Sequence, residues 1–255
     1  MKTSHKRDLL EHYFEKYDQK GFIPDDPISI PHQFTRKQDI EIAGFFAAIF
    51  AWGQRITIIN KSNELMNLMG GRPYEFVLNH SPEDLKPFEA FKHRTFNSTD
   101  LLYFMAFLQQ YYRSNKSLED AFYQNEGKPM KERLIQFHDA FFSLEFAPKR
   151  TRKHIANPAR KSTCKRLNMY LRWMVRKDDK GVDLGIWQKI QPSELYCPLD
   201  VHVERTARKL GLLKRKQRDW EAVEELTKNL RKIDPVDPVR FDYALFGMGL
   251  ENAEL

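Results

Sequence analysis

The segment that organises this chain covers residues 161–177 and reads KSTCKRLNMYLRWMVRK. The spacing of its apolar residues predicts an amphipathic helix over residues 164–177, preceded by a Ser/Thr cap. At about 100° per residue, one side of this helix faces a core: Cys164, Leu167, Leu171, Met174 and Val175. Another side carries a row of cations: Lys165, Arg172 and Arg176. The sequence therefore predicts a helix that buries one face and presents positive charge on another.

The basic character of the chain is concentrated around this helix. Eleven Lys or Arg and no Asp or Glu lie in residues 146–177, whereas the whole chain has a net charge of only +7. Solvated protein faces usually mix both signs of charge, so a purely basic segment favours a surface for a polyanion, with a solvated face as the alternative. The expected partner is nucleic acid. The candidate contacts are Arg160, Lys161, Arg166, Arg172 and Arg176.

Length and composition restrict the class of protein. With 255 residues, of which 41% are hydrophobic and 13% aromatic, the chain can bury a sizeable core, and we expect a single compact unit over residues 1–255. Two cysteines, Cys164 and Cys197, are too few for a disulfide framework or a four-cysteine metal cluster, and no cofactor or metal is expected. A cytoplasmic protein is the default expectation. The longest apolar run, residues 42–52, is too short to cross a bilayer, so no membrane partner is expected.

Apolar residues recur at helical spacing along nearly the whole chain, and no alternating stretch of strand length stands out. Besides the basic helix, we expect helices over residues 7–20, 38–53, 56–69, 73–79, 99–113, 117–123, 129–143, 201–210, 217–231 and 238–248. The apolar residues of 38–53 lie nearly all round, which predicts a buried central helix. Three prolines within residues 22–35 predict an extended connector. The predicted fold class is all-α.

A lone carboxylate follows the basic helix. Residues 198–202 read PLDVH, and Asp200 lies where the pattern predicts the start of a helix. An aspartate there is a good N-cap for the helix that follows. The order of a basic helix, a spacer and an acid at a helix start predicts the functional site of the chain.

Several of these blocks resemble those of known proteins. The residues LDVHV at 199–203, followed by Arg205 and LGL at 210–212, resemble the Val-Asp-Thr/Val-His motif of the helix-hairpin-helix DNA glycosylases. Lys165 resembles the lysine that precedes that aspartate, above all in archaeal 8-oxoguanine glycosylases. A bacterial family of unknown function is more closely similar over nearly the whole chain. It shares the blocks CKRLN at 164–168 and PLDVH at 198–202, and the closing segment 237–249.

The glycosylase resemblance implies an architecture and a reaction. It implies an all-α, two-lobed fold, with lobes over residues 36–145 and over residues 1–35 plus 146–255. It also implies a DNA-repair glycosylase with abasic-site lyase activity that acts on an oxidised base such as 8-oxoguanine in duplex DNA. Lys165 would be the amine nucleophile and Asp200 the stabilising carboxylate. The attacking amine must be neutral, and cationic neighbours such as Arg166 or Arg172 would favour the neutral form.

The same resemblance implies where the base would be held. An extruded base needs a pocket with aromatic walls, for which Trp52 and Trp173 are candidates. Gln54 follows the apolar central segment and resembles the glutamine of a lesion-facing loop. The Gly-x-Gly of the superfamily hairpin is replaced here by NPAR at residues 157–160.

Structural interpretations of the same residues stay open beside these. Lys165 could be a further phosphate contact, Asp200 only an N-cap, Gln54 a helix terminator and Trp52 a core residue. Arg94, in the segment HRTF at 93–96, could be a phosphate ligand or a buried ion-pair partner. At the level of function, the alternatives are a non-catalytic nucleic-acid-binding protein and, third, a small-molecule enzyme that uses Lys165 for Schiff-base chemistry.

Overall fold

Helices account for nearly all the regular structure in the computed structural model, which describes residues 3–123 and 127–251. In chain order the helices are α1 (Thr3–Tyr17), α2 (Lys37–Phe50), α3 (Arg55–Leu68), α4 (Pro73–Asn79), α5 (Ser98–Ser114), α6 (Glu119–Tyr123), α7 (Met130–Phe141), α8 (Lys165–Val175), α9 (Val201–Lys209), α10 (Trp220–Arg231) and α11 (Phe241–Leu250). Two short antiparallel strands, β1 (Lys92–His93) and β2 (Phe96–Asn97), form one hairpin. The expectation of a mostly helical protein is confirmed.

The described chain divides into two compact units. Unit 1 contains residues 3–23, 129–131 and 157–251, and unit 2 contains residues 24–123, 127–128 and 132–156. The lobe boundaries expected from the sequence lay at residues 36 and 145. The units instead change over near residues 24 and 156, and a three-residue piece at the start of α7 belongs to unit 1.

The core of unit 2 is built around α2. Every residue from Ile40 to Phe50 is buried, as the apolar pattern predicted for this segment, and α2 packs against α3 and α4. Phe45 stacks on Phe104 of α5, with ring centroids 5.8 Å apart. None of the helices in the described part of the chain is both long and apolar enough to span a membrane.

The core of unit 1 places α11 against both α1 and α9. Two glycines of α11 allow this close approach. A Cβ on Gly247 would overlap the ring of Tyr17 on α1, and one on Gly249 would lie 2.9 Å from the Cβ of His202 on α9. Any larger residue at either position would force the helices apart, so packing requires glycine at both positions of the closing segment.

The proline-rich connector over residues 22–35 differs from its prediction. Instead of an extended strand, it forms three consecutive 3-10 turns, Lys20–Asp25, Pro27–Ser29 and Pro31–Gln33. Pro27 and Pro31 each begin a turn, where a residue without an N–H loses no hydrogen bond. Two of the three prolines therefore start turns, and Pro24 lies inside the first turn.

Candidate active site

The turn before α8 determines where Lys165 lies. The side chain of Asn157 accepts a hydrogen bond from the N–H of Ala159 at 2.8 Å and starts a 3-10 turn, Pro158–Arg160. Lys161 and Cys164 then adopt left-handed backbone angles, with φ of 61° and 49°. Lys165 is the first residue of α8. Its position is thus fixed by a tightly folded turn on one side and by the helix on the other.

Asp200 lies at the start of α9 as the sequence predicted. Its Oδ1 accepts hydrogen bonds from the N–H groups of His202 and Val203, each at 2.9 Å, which caps the helix. Its other oxygen, Oδ2, lies 3.9 Å from the Nζ of Lys165. The two carboxylate oxygens therefore serve different partners, and capping of α9 leaves Oδ2 beside the Lys165 amine.

The Lys165–Asp200 pair is partly open to solvent. The side chains are 30% and 21% exposed, in contrast to the fully buried residues around them. Both groups are therefore accessible from solvent. The two residues lie 35 positions apart in the sequence and come from different helices of unit 1.

A third titratable group, Asp242 of α11, lies within electrostatic range of the pair. Burial raises the pKa of Asp242 to about 7, the Arg172 guanidinium opposes this rise, and the charges of Asp200 and Lys165 act in opposite directions on it. Its Oδ2 accepts a hydrogen bond from Arg172, and its Oδ1 lies 3.9 Å from the Sγ of Cys197. A carboxyl group of this kind can hold a proton near neutral pH.

Sequence reasoning missed Asp242. The available signal was a carboxylate within the otherwise apolar run FDYALFGMG at residues 241–249. A charged residue on a buried helix face requires a partner, but the sequence does not name that partner.

Arg172 does not contact solvent, contrary to its predicted role. It is 5% exposed and lies in unit 1 between two carboxylates. Its Nε donates to Asp183 at 3.3 Å, its Nη1 donates to Asp242, and its guanidinium lies 4.1 Å from the ring centroid of Tyr243. Tyr243 in turn donates to Asp183 at 3.0 Å.

Arg176, one helical turn further on, is 2% exposed and is more completely enclosed by acids. Its nitrogens donate to four carboxylates: Asp237 at 2.8 Å, Asp183 at 3.1 Å, Asp18 at 3.3 Å, and Asp178. The prediction that Arg172 and Arg176 form a phosphate-binding row with Lys165 is therefore wrong. Their charges are already neutralised within the core, and only Lys165 of the predicted row is accessible.

The predicted aromatic wall at Trp173 is also wrong, because this side chain is fully buried. Trp173 follows Arg172 by one residue, a step of about 100° around the helix, and its side chain packs into the core of unit 1. Arg166 is half-buried, and burial lowers its pKa to about 10. Arg160 and Lys161, in the turn before α8, are exposed as predicted.

Trp52 and Gln54 belong to unit 2. Trp52 is half-buried, and the guanidinium of Arg94 lies 5.0 Å from its ring centroid. Gln54 is exposed and precedes α3, whose first N–H groups its side chain does not cap. Arg94 is exposed at the tip of the hairpin, with a left-handed φ of 55°, so it is not a buried ion-pair partner. Gly53 has a φ of 112°, which favours glycine, and a Cβ there would lie 2.6 Å from the Nη1 of Arg94.

Comparison with known proteins identifies the family. A family model described as "Protein of unknown function (DUF2400)" matches residues 26–251. The chain belongs to this family. The expected membership of an uncharacterised family is thereby confirmed, and the glycosylase resemblance gains no support from the comparison. No curated protein and no solved structure matches the chain.

The arrangement in unit 1 allows covalent chemistry at an amine. An accessible lysine lies beside a carboxylate that the fold holds rigidly, and a buried carboxyl that can carry a proton lies nearby. Within residues 3–123 and 127–251, no three His, Cys, Asp or Glu side chains are grouped so as to hold a metal ion. Both cysteines are buried, and burial raises the pKa of each thiol, so neither is a reactive thiolate.

Proposed function

We propose that this protein is a DNA glycosylase with abasic-site lyase activity that removes an oxidised base, such as 8-oxoguanine, from duplex DNA. The observation that carries the proposal is the 3.9 Å approach of the Lys165 amine to the free oxygen of the Asp200 carboxylate. The carboxylate is oriented by two backbone N–H groups, which keeps it directed at the amine.

The reaction assigned to the pair begins at C1′ of the damaged nucleotide. The Nζ of Lys165 attacks C1′, the glycosidic C–N bond breaks, and the base leaves with the bonding electrons and takes up a proton. The carboxylate of Asp200 stabilises the positive charge that develops on the sugar in the transition state. The C1′–O4′ bond then breaks, a proton passes from Nζ to O4′, and a Schiff base forms between C1′ and Nζ. Loss of a C2′ proton to solvent then breaks the C3′–O bond and releases the 3′ phosphate.

Asp242 supports this assignment through its ability to hold a proton. A lysine amine must lose a proton before it can attack. Asp242 is buried within electrostatic range of the pair, and its pKa of about 7 allows either protonation state at neutral pH. The base contact that the resemblance implies for Trp52 and Gln54 stays a separate prediction.

Borohydride trapping tests the nucleophile directly. The wild-type protein is incubated with duplex DNA that contains either an abasic site or 8-oxoguanine, and borohydride reduces the Schiff base to a stable covalent adduct. Lys165→Gln should abolish trapping, while its duplex affinity should stay within about fivefold because a partly exposed contact contributes at most about 1 kcal/mol. Lys228→Gln is the matched control, since Lys228 is exposed on α10 of the same unit.

Asp200→Asn separates the two steps. It should slow release of 8-oxoguanine but leave cleavage at a preformed abasic site, because the amine is still present. If the wild-type protein traps no adduct on a broad panel of lesions, the enzymatic proposal is abandoned.

The second candidate is a non-catalytic nucleic-acid-binding protein, and one observation favours it. The exposed cations Arg160 and Lys161 have no carboxylate within ion-pair distance among the residues that the structure describes. Duplex binding with a steep salt dependence, but without trapping on any lesion, would support this candidate over the enzyme.

A further inference from the structure

The turn that precedes α8 lies against the start of α10. The N–H of Trp220, the first residue of α10, donates a hydrogen bond to the carbonyl of Lys161 at 3.2 Å. The segment that leads into α10, residues 214–218, reads KRKQR and was not among the basic stretches singled out from the sequence. Two basic segments that lie more than fifty positions apart therefore meet at the end of one helix.

Four cations at this place form what we call the turn–loop patch: Arg160, Lys161, Lys214 and Lys216. All four are exposed, and none has a carboxylate within ion-pair distance in the part of the chain that the structure describes. The neighbouring arginines behave differently. Arg215 pairs with Asp219 at 2.6 Å and Arg218 with Glu204 at 3.5 Å. Arg215 also pairs with Glu221 at 2.8 Å, and Glu225 accepts hydrogen bonds from the N–H groups of Lys214 and Arg215. The four cations of the patch, together with Arg215 and Arg218, still outnumber these four carboxylates, so the region keeps a net positive charge.

Lys161 is held in a backbone conformation that does not suit it. Its φ of 61° lies in the left-handed region, where glycine meets no steric penalty and a lysine does. The conformation is fixed by the N–H of Lys161, which donates to Pro158 at 2.9 Å, and by the carbonyl that Trp220 engages. At such a position glycine can replace lysine without backbone strain, so Lys161 allows the charge to be removed while the turn is kept.

We propose that the turn–loop patch binds the phosphodiester backbone of duplex DNA, separately from the Lys165–Asp200 pair. The contact rests on the proposed function only for the choice of DNA as the polyanion. Single cations spread over two segments suit a row of phosphates better than one small anion. The N-terminus of α10 is already occupied, because Asp219 caps it through the N–H of Ala222 at 3.1 Å. Recognition therefore depends on the side chains, which makes it independent of sequence.

The missing Gly-x-Gly of the hairpin is consistent with this mode of binding. Backbone amides that approach a phosphate need glycine, whereas NPAR at residues 157–160 presents a proline and an arginine. The amide of Ala159 is engaged by Asn157, and that of Lys161 by Pro158. The turn thus offers side-chain charge in place of free amides.

Lys161→Gly is the diagnostic variant. It relieves the backbone strain and removes the charge, so its melting temperature should equal or exceed that of the wild type while its affinity for an undamaged duplex falls severalfold. A structural role for the lysine predicts the opposite, with a lower melting temperature and an unchanged affinity. That result would overturn the proposal.

A salt titration with an undamaged 20-base-pair duplex measures the whole patch. The slope of log affinity against log salt should become shallower by about 0.9 for each phosphate that the protein no longer neutralises, hence by about two to four units when all four cations become alanine. The control removes the same charge elsewhere in unit 1, at four other exposed lysines: Lys20, Lys177, Lys228 and Lys232. An equal decrease of slope in the control would show that only net charge acts, and the patch assignment would fail.

Failure of the patch and failure of the enzyme give different results. The patch variant should still form the borohydride adduct at saturating protein concentration, and Lys165→Gln should keep the salt slope of the wild type. If the wild type traps no adduct but the patch variant has a shallower salt slope, the patch proposal stands and the enzymatic proposal fails.

Discussion

Helix α8 carries two kinds of cation that look alike in the sequence. Lys165, at its start, pairs with Asp200 at 3.9 Å, and both side chains are partly exposed. Arg172, two turns further along, pairs with Asp183 and Asp242, and all three side chains are nearly excluded from solvent. A segment without acids in its own sequence can therefore be rich in acids in space, because the partners arrive from other parts of the chain.

The buried arginines of α8 have more carboxylates around them than there are guanidinium groups. Between them, Arg172 and Arg176 pair with five aspartates: Asp18, Asp178, Asp183, Asp237 and Asp242. Only Asp183 pairs with both arginines. Burial raises the pKa of three of these acids: Asp18 to about 6, Asp242 to about 7, and Asp237. Partial protonation thus reduces the excess negative charge. The cluster joins α8 to the N-terminal and C-terminal segments of unit 1, which makes it a determinant of the fold.

The prediction with the largest expected effect concerns the buried arginines of α8. Arg176→Met should lower the free energy of unfolding by about 3–5 kcal/mol, because it leaves the buried Asp18 and the half-buried Asp178 and Asp237 without this cation, and Asp183 with Arg172 alone. Arg160→Met removes the same charge from an exposed position and should change it by less than about 0.5 kcal/mol. Urea unfolding measures both. Equal effects of the two variants would remove the distinction between the two kinds of cation.

That result also bears on DNA-binding experiments. Replacing Arg172 or Arg176 in order to test phosphate contacts would report on stability, since neither side chain reaches solvent. The residues to replace are those of the turn–loop patch.

The contrast within α8 also explains what the sequence could predict. Helix spacing and capping depend on neighbours in the sequence, so α4 falls on its expected residues 73–79 and α9 begins directly after Asp200. The hairpin at residues 92–97 has strands of two residues each, too short for an alternating pattern to be visible. Long-range partners leave no local pattern, which is why the aspartates around Arg176 were not predicted.

The candidate site shows the same limit. The 35-residue separation of Lys165 and Asp200 does not by itself imply contact, and the pair was singled out through the resemblance of its motifs. Asp242 carries no recognisable motif, and only the packing of α11 places it near the pair.

A second prediction concerns the pH dependence of stability. Burial raises the pKa of Asp242 from 3.8 to about 7, so between about pH 4 and pH 7 the folded chain holds a proton that the unfolded chain has released. The free energy of unfolding therefore falls as pH rises through this window, by up to about 1.4 kcal/mol per pH unit for one proton. Asp242→Asn cannot titrate, so its stability should decline less steeply from pH 5 to pH 8.

Comparison of the two proteins isolates this contribution. Asp18, with a pKa of about 6, acts in the same direction, and His93, whose pKa burial lowers, acts in the opposite direction. Both residues are present in the wild type and in Asp242→Asn, so they cancel in the difference. Parallel stability curves for the two proteins between pH 5 and pH 8 would contradict the assignment of a raised pKa to Asp242.

A third prediction concerns the partly exposed pair of Lys165 and Asp200. Asp200→Ala removes the side-chain acceptor for two N–H groups at the start of α9, and loss of an N-cap lowers stability by about 1 kcal/mol. Urea unfolding at pH 7 is the measurement. An unchanged midpoint would mean that water replaces the cap fully at this helix end.

The smallest expected effect separates the cap from the charge at the same residue. Asp200→Asn keeps an oxygen acceptor, and asparagine caps a helix about as well as aspartate. It removes only the attraction to Lys165, which for partly exposed groups contributes between about 0 and 1 kcal/mol. We expect a loss below about 0.5 kcal/mol, against several kcal/mol for the buried arginine. A larger loss would show that the fold depends on the Lys165–Asp200 attraction, and this pair would then belong with the structural ion pairs of α8. A small loss together with slowed base release would leave chemistry as the reason for holding an accessible amine beside a capped carboxylate.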